Sequence, residues 1–166
     1  MVFTATTGEI DEAIAIIQEV TQWCIDSGRP MWPLTAASRN VMLKTLVAEN
    51  FVVGKVNGEP ACAMTLAWND PEYWPGASPN EAGYIHKLCV KRKFGGMNLP
   101  TKMCEYASRL CRDRNIGYLR LDTYSHSNLL RAMYRKLGFQ EVGVVVPKDG
   151  IERTQFEMRV SIGKQN

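Results

Sequence analysis

The pair Asn57-Gly58 sits between two runs of strand-like character, FVVGKV and ACAMTLAW. Both residues tolerate the positive φ of a tight turn, so the segment predicts a β-hairpin. Any fold has to place that antiparallel pair among segments of helical period. Upstream, TGEIDEAIAIIQEVTQWCIDSG spaces Ile10, Ile14, Ile17, Thr21, Cys24 and Ile25 three to four residues apart, which predicts an amphipathic helix. Asp11 and Glu12 lie early in it, where the helix dipole favours negative charge, and Gly28 is the expected stop. Residues 2–5 read as an edge strand. The stiff, aromatic RPMWP leads into a second expected helix from about Thr35, with Val41, Leu43, Leu46 and Val47 as its apolar members.

After the hairpin comes NDPEYWPGASPNEAG, a long loop rich in proline, glycine and aromatics, the kind that is functional or mobile inside a compact domain. YIHKLCV reads as a strand. A helix over about 101–114 follows, burying Met103, Tyr106, Ala107, Leu110 and Cys111. GYLRLDT is a further strand. NLLRAMYRKLGF is a helix with Leu130, Met133, Tyr134 and Leu137 apolar, Arg135 and Lys136 suited to its C-terminus, and Gly138 as the left-handed cap. FQEVGVVV and TQFEMRV are two final strands joined by a turn at PKDG. The order implies one mixed α/β domain, residues 1–166, built around a sheet.

Bulk properties narrow the function. With 166 residues and 45% hydrophobic content the chain fills one domain and is short for two. A net charge of +3 spread in mixed sign argues against a dedicated nucleic-acid binder. The five cysteines are odd in number and lack C-x-x-C spacing, so they read as buried thiols in a reducing compartment. Two histidines make a metal cluster hard to assemble, and no metal is expected. The N-terminus has no signal-peptide pattern and no apolar run is long enough to span a membrane. The expectation is a cytoplasmic protein without membrane or nucleic-acid partners.

YIHKLCVKRKFGGMNLPTKMCEYA, then LRLDT, then NLLRAMYRKLGF, resemble the GNAT superfamily of acyl-CoA-dependent N-acyltransferases, and the element order agrees along nearly the whole chain. The most specific piece is N-x5-Y-x3-GF, formed by Asn128, Tyr134, Gly138 and Phe139 at the proper interval after Leu88 and Val90. The first helix and its RPMW turn also look like those of small bacterial-type members. The resemblance implies a mostly antiparallel sheet of about six to seven strands with about four helices. It implies acetyl-CoA as acyl donor and a small-molecule or peptide amine as acceptor. It also allows for a homodimer through the final strands.

Carried over residue by residue, the resemblance gives Leu88 the backbone N–H that meets the oxyanion of the attacked thioester. Val90 would hold the pantetheine arm. Tyr134 would give a proton to the departing thiolate, since phenol and thiol have comparable reference pKa values. Asn128 would hydrogen-bond the cofactor, and a helix N-cap is an equally natural role for it. The phosphate turn would use Lys91, Arg92, Gly95, Gly96, Met97, Asn98, Leu99 and Thr101, with Lys93 adding charge nearby.

That turn departs from the family's Q/R-x-x-G-x-G/A at each fixed place, with Gly95, Asn98 and Pro100 there instead. Asparagine tolerates left-handed geometry, and proline suits the first helical turn but removes one N–H. These departures keep a second reading open, a non-catalytic acyl-CoA-binding or regulatory protein. His86 ranks first as general base, on the same strand face as Leu88 if the strand is regular, with Glu72 and Glu81 as alternatives acting through water. Trp23, Met31, Trp32, Tyr73 and Trp74 are candidate walls for the acceptor, with core packing the competing role for Trp23 and Trp32. Arg29 and Asp70 are further candidates to select a charged group.

Overall fold

The turn forms where the sequence predicts it: Asn57 and Gly58 adopt φ of 49° and 81° and join β2 (Phe51–Val56) to β3 (Glu59–Ala67). In the computed structural model, which describes residues 1–163, these strands belong to a seven-stranded sheet ordered β1-β2-β3-β4-β5-β7-β6. The other strands are β1 (Phe3–Thr7), β4 (Gly83–Val90), β5 (Tyr118–Tyr124), β6 (Gln140–Val145) and β7 (Arg153–Arg159). Four α-helices accompany them: α1 (Ile10–Asp26), α2 (Arg39–Met42), α3 (Leu99–Asp113) and α4 (Asn128–Lys136). β4 and β5 run parallel, Gly83 opposite Leu119, while β1–β2, β2–β3, β5–β7 and β6–β7 are antiparallel. By its contacts the chain divides into two compact units. One is Met1–Leu66 with Lys87–Cys104; the other is Ala67–His86 with the residues from Glu105 onward.

The first unit is built on the buried face of α1. Ala13, Ile14, Ile16, Ile17, Val20 and Cys24 pack with Met42, Phe51, Val53, Ala63 and Cys89. Ile25, expected on this face, is exposed, because the stripe runs through Ala13, Ile16 and Val20 instead. The helix stops as Gly28 turns left-handed at φ 74°. The expected second helix does not form as one piece. A 3-10 turn (Leu34–Ala37) is cut off by Ser38, which adopts extended geometry and accepts from the Val41 N–H to cap the four-residue α2. Val41, Leu43 and Val47 are exposed, and Ala37 and Met42 are the buried residues there.

Gly54 marks the tightest approach in this unit. A Cβ there would lie 2.4 Å from Cys62 Sγ and 2.9 Å from both Met103 Sδ and Phe3 Cε2. Gly54→Ala is therefore expected to lose about 1–3 kcal/mol through overpacking. Urea unfolding checks this; a midpoint equal to wild type would show that the three neighbours move aside freely.

In the second unit β7 lies between β5 and β6, pairing Leu121 with Phe156 on one side and Glu141 with Phe156 on the other. The PKDG segment turns as expected, with the Gly150 N–H donating to the Pro147 carbonyl at 3.0 Å. β6 is an edge strand with Val142 and Val144 exposed. Ser127, not Asn128, caps α4, its hydroxyl accepting from the Leu130 N–H, and Gly138 closes the helix at φ 102°.

All five cysteines are buried and none forms a disulfide. Burial pushes the Cys62 thiol up to about 12 and Cys111 to about 11, and raises Cys24 and Cys89 as well. These four stay protonated near neutrality, and all five serve as small apolar side chains. No described helix is long and apolar enough to cross a membrane.

Candidate active site

In the first unit the site residues follow from an irregularity in β4. Lys87 adopts φ 52° in mid-strand. The pleat therefore loses its alternation: His86 and Lys87 are both half-buried, and Leu88 and Cys89 are both buried. The premise that placed His86 and Leu88 on one regular strand face does not hold. A left-handed lysine costs about 1–3 kcal/mol and reorients the peptide groups on either side of it, including the one that carries the Leu88 N–H. Val90, half-buried, ends the strand, and the Lys91 N–H donates to Ala61 of β3 at 2.8 Å.

The turn after β4 begins as a 3-10 helix (Arg92–Phe94). The N–H groups of Phe94 and Gly95 are taken by the carbonyls of Lys91 and Arg92, so donors for a ligand start at Gly96. Gly96 and Asn98 are left-handed, at φ 80° and 58°, and α3 begins at Leu99, two residues earlier than expected. Asn98 thus keeps the turn without a glycine. Its Oδ1 accepts the Thr101 hydroxyl at 2.8 Å, so that hydroxyl is engaged at the cap. Pro100 falls in the first helical turn, where its missing N–H breaks no intrahelical bond. A 15-residue helix then presents its positive end and the N–H groups of Gly96, Met97, Asn98 and Leu99 around one turn. That arrangement fits a pyrophosphate.

Positive charge stands beside it, partly compensated. Lys93 pairs with Glu59 at 2.7 Å, Lys91 lies 3.9 Å from Glu19, and the Arg92 guanidinium sits 4.8 Å from the Trp23 ring. These residues and Val20 line a cavity of about 330 Å³. Trp23, expected as an acceptor wall, thus shares a cavity with the cationic turn. Met31 and Trp32 pack against the α1 core, where the Trp32 indole N–H donates to Thr21 at 2.7 Å.

In the second unit Tyr134 is buried on α4, tilted against Phe156 at 5.7 Å and edge-on to Phe139 at 6.3 Å. Asn128, at the start of the same helix, is exposed, and the cap role it shared on sequence grounds belongs to Ser127. The long loop folds through short turns in which Trp74 is buried beside Tyr84 and Ala82, with Tyr73 half-buried against them. Arg120 lies under this cluster. It bonds Glu81 and Glu157 at 2.8 Å and the Tyr84 hydroxyl at 3.1 Å, and sits 4.8 Å from the Trp74 ring. Glu81, an alternative base, is therefore committed to Arg120. The Trp74 indole N–H is buried with no hydrogen-bond partner among the described residues.

His86 lies between two carboxylates. Its Nε2 is 2.5 Å from Asp70 Oδ2 and its Nδ1 is 3.9 Å from Asp122 Oδ2. The Tyr73 ring stands 5.1 Å away. Burial, then the charge of Asp122, pushes the Tyr73 phenol up to about 12, so it is neutral at physiological pH. Asp122 was not a sequence candidate, because a lone aspartate in LRLDT has no feature that separates it from a solvated strand residue.

Residues 17–139 match the acetyltransferase (GNAT) family, well over half of the chain, and the protein belongs to that family. It is 24% identical over 142 residues to the uncharacterized N-acetyltransferase YesJ of Bacillus subtilis (strain 168), covering 81% of this chain and 78% of the relative. Its fold is shared with a GNAT-family acetyltransferase of Listeria monocytogenes, with TM-score 0.70, 21% identity, and 94% and 95% of the two chains covered. The aminoglycoside acetyltransferase AAC(6')-Ib, solved in complex with coenzyme A, superposes with TM-score 0.69 at 17% identity over 95% of each chain.

Proposed function

We propose that the protein transfers an acetyl group from acetyl-CoA to a primary amine of a small molecule or peptide, by direct attack of the amine on the thioester. The observation that carries this reading is the turn between β4 and α3. Left-handed Gly96 and Asn98 lead into a 15-residue helix without the family's glycines, a backbone turn that supports a role as pyrophosphate cradle despite the sequence departures. The coenzyme A complex of a protein with the same fold supports that use of the cradle.

In this reading the residues divide the chemistry. The N–H groups of Gly96, Met97, Asn98 and Leu99 meet the phosphates, with Lys91 and Arg92 lending positive charge. Val90 lies along the pantetheine arm, and the Leu88 N–H meets the carbonyl oxygen as it gains charge. Tyr134 protonates the leaving thiolate. His86 takes a proton from the acceptor. Five buried thiols outside any disulfide suit a reducing, cytoplasmic setting.

Isothermal titration calorimetry with acetyl-CoA and with CoA tests the reading. Saturable binding of both is expected, weakened by Asn98→Pro, because proline cannot adopt the positive φ found there. Absence of binding at millimolar acetyl-CoA would overturn it.

A further inference from the structure

β1 is an edge strand of the sheet, paired on one side only, with β2. Its register decides which of its backbone groups face outward. The Asn57 N–H donates to the Val2 carbonyl at 2.8 Å, and the Gly8 N–H to the Phe51 carbonyl at 3.1 Å. Hydrogen-bonded pairs of an antiparallel ladder recur at every second residue, so Thr4 and Thr6 turn their backbone groups towards β2. The N–H and carbonyl groups of Phe3, Ala5 and Thr7 point away from the sheet, and no backbone group among the described residues answers them.

An open edge invites pairing with another strand, and folded proteins guard such edges with charge, proline or a bulge. β6, the other edge strand, carries a bulge between Glu141 and Gly143. β1 has none of these guards. Its five residues, FTATT, are uncharged, and their register with β2 is unbroken from Phe3 to Thr7. Thr4, Thr6 and Thr7 are exposed, while Phe3 and Ala5 are half-buried.

FTATT fits a second copy of itself. A two-fold axis through Ala5 sets Ala5 against Ala5, Phe3 against Thr7 and Thr4 against Thr6. Residues 3, 5 and 7 then form the hydrogen-bonded pairs, and every outward N–H meets an outward carbonyl. Thr4 and Thr6 fall in the closer pairs between them, where threonines attract across strands. Charge agrees with this register. Lys55 is the β2 neighbour of Thr4, and Glu9 accepts the Thr6 hydroxyl. The axis therefore brings Lys55 of one copy towards Glu9 of the other. Within one copy Lys55 pairs with Glu9 at 3.0 Å and Glu12 at 3.1 Å, so the acids beside the seam are compensated.

We propose that β1 is a dimerisation edge, on which a second copy of this chain docks antiparallel about Ala5. A five-residue strand pair buries little surface, so the association is concentration-dependent rather than obligate.

Sedimentation equilibrium of the full chain from micromolar to millimolar concentration tests this, with amide hydrogen exchange beside it. The apparent mass is expected to rise towards twice that of one chain. Over the same range exchange slows at the Phe3, Ala5 and Thr7 amides. The Thr4 and Thr6 amides, bonded to β2 in either state, stay as they are. Thr4→Lys with Thr6→Lys sets like charges opposite each other twice and is expected to weaken association about tenfold. Thr4→Glu with Thr6→Lys sets opposite charges there and is expected to restore it. Both pairs of substitutions fall on exposed positions, and urea midpoints like that of wild type are expected for each. A single-chain mass up to millimolar concentration overturns the proposal. So does a dimer that protects other amides instead, or one that the two double variants affect alike.

Discussion

Tyr134→Phe is expected to lower kcat for acetyl transfer about a hundredfold or more while leaving acetyl-CoA affinity within a factor of about two. The change removes one oxygen and keeps the ring that packs against Phe139 and Phe156. A phenol donates to a thiolate with little driving force to overcome, and without it the thiolate must leave charged or wait for water. Steady-state kinetics set beside calorimetry separate the two quantities. Equal turnover in the variant would take Tyr134 out of the mechanism. Equal losses in turnover and affinity would make it a binding residue.

Arg120→Met carries the largest expected effect on stability. The guanidinium is buried and answers three partners at once, Glu81, Glu157 and Tyr84, while stacking on Trp74. Burial alone would lower its proton affinity; the bonds to Glu81, Glu157 and Tyr84 outweigh that and hold it above its ordinary value, so it is charged at every pH of interest. Removing it strands two carboxylates and a buried phenol. A fully buried pair broken on one side costs about 3–5 kcal/mol, and the access of Glu81 and Glu157 to solvent brings the expectation to about 2–3 kcal/mol. Arg120→Lys recovers only part, since an ammonium cannot reproduce the planar fork. Chemical denaturation at neutral pH reads the loss directly. A variant as stable as wild type would mean that water satisfies the stranded groups.

How much of this was legible in the sequence depended on whether the determining chemistry was local. Asn57-Gly58 fixed a hairpin because its two residues carry the required φ themselves, and Gly138 ended α4 for the same reason. The span 35–47 failed as a helix although its apolar spacing was adequate. Ser38 is a better cap than helix interior, and a spacing pattern cannot register that. The two last strands were readable as a pair. Which of them lies beside β5 was not, because a hairpin defines its own partner and leaves the outer neighbour open.

The site shows the same division. The N-x5-Y-x3-GF pattern placed Tyr134 on its helix, and Asn98 was readable as a stand-in for glycine. Lys87 was not, since nothing in a lysine announces a positive φ in mid-strand. Nor was the bracketing of His86. Asp70 lies 16 residues away in a loop, and Asp122 lies on a strand beyond α3. Their meeting depends on β4 and β5 running in parallel, which is a tertiary fact.

Incubation with acetyl-CoA and a panel of primary alkylamines and peptides, followed by mass spectrometry of the products, tests the assigned activity most directly. The expected result is protein-dependent thiol release matched by an N-acetylated amine, and strongly reduced in Tyr134→Phe. Acetyl-CoA that binds but yields neither free thiol nor acetylated product across the whole panel would contradict it, and would make the protein an acyl-CoA-binding member of its family without the transfer chemistry.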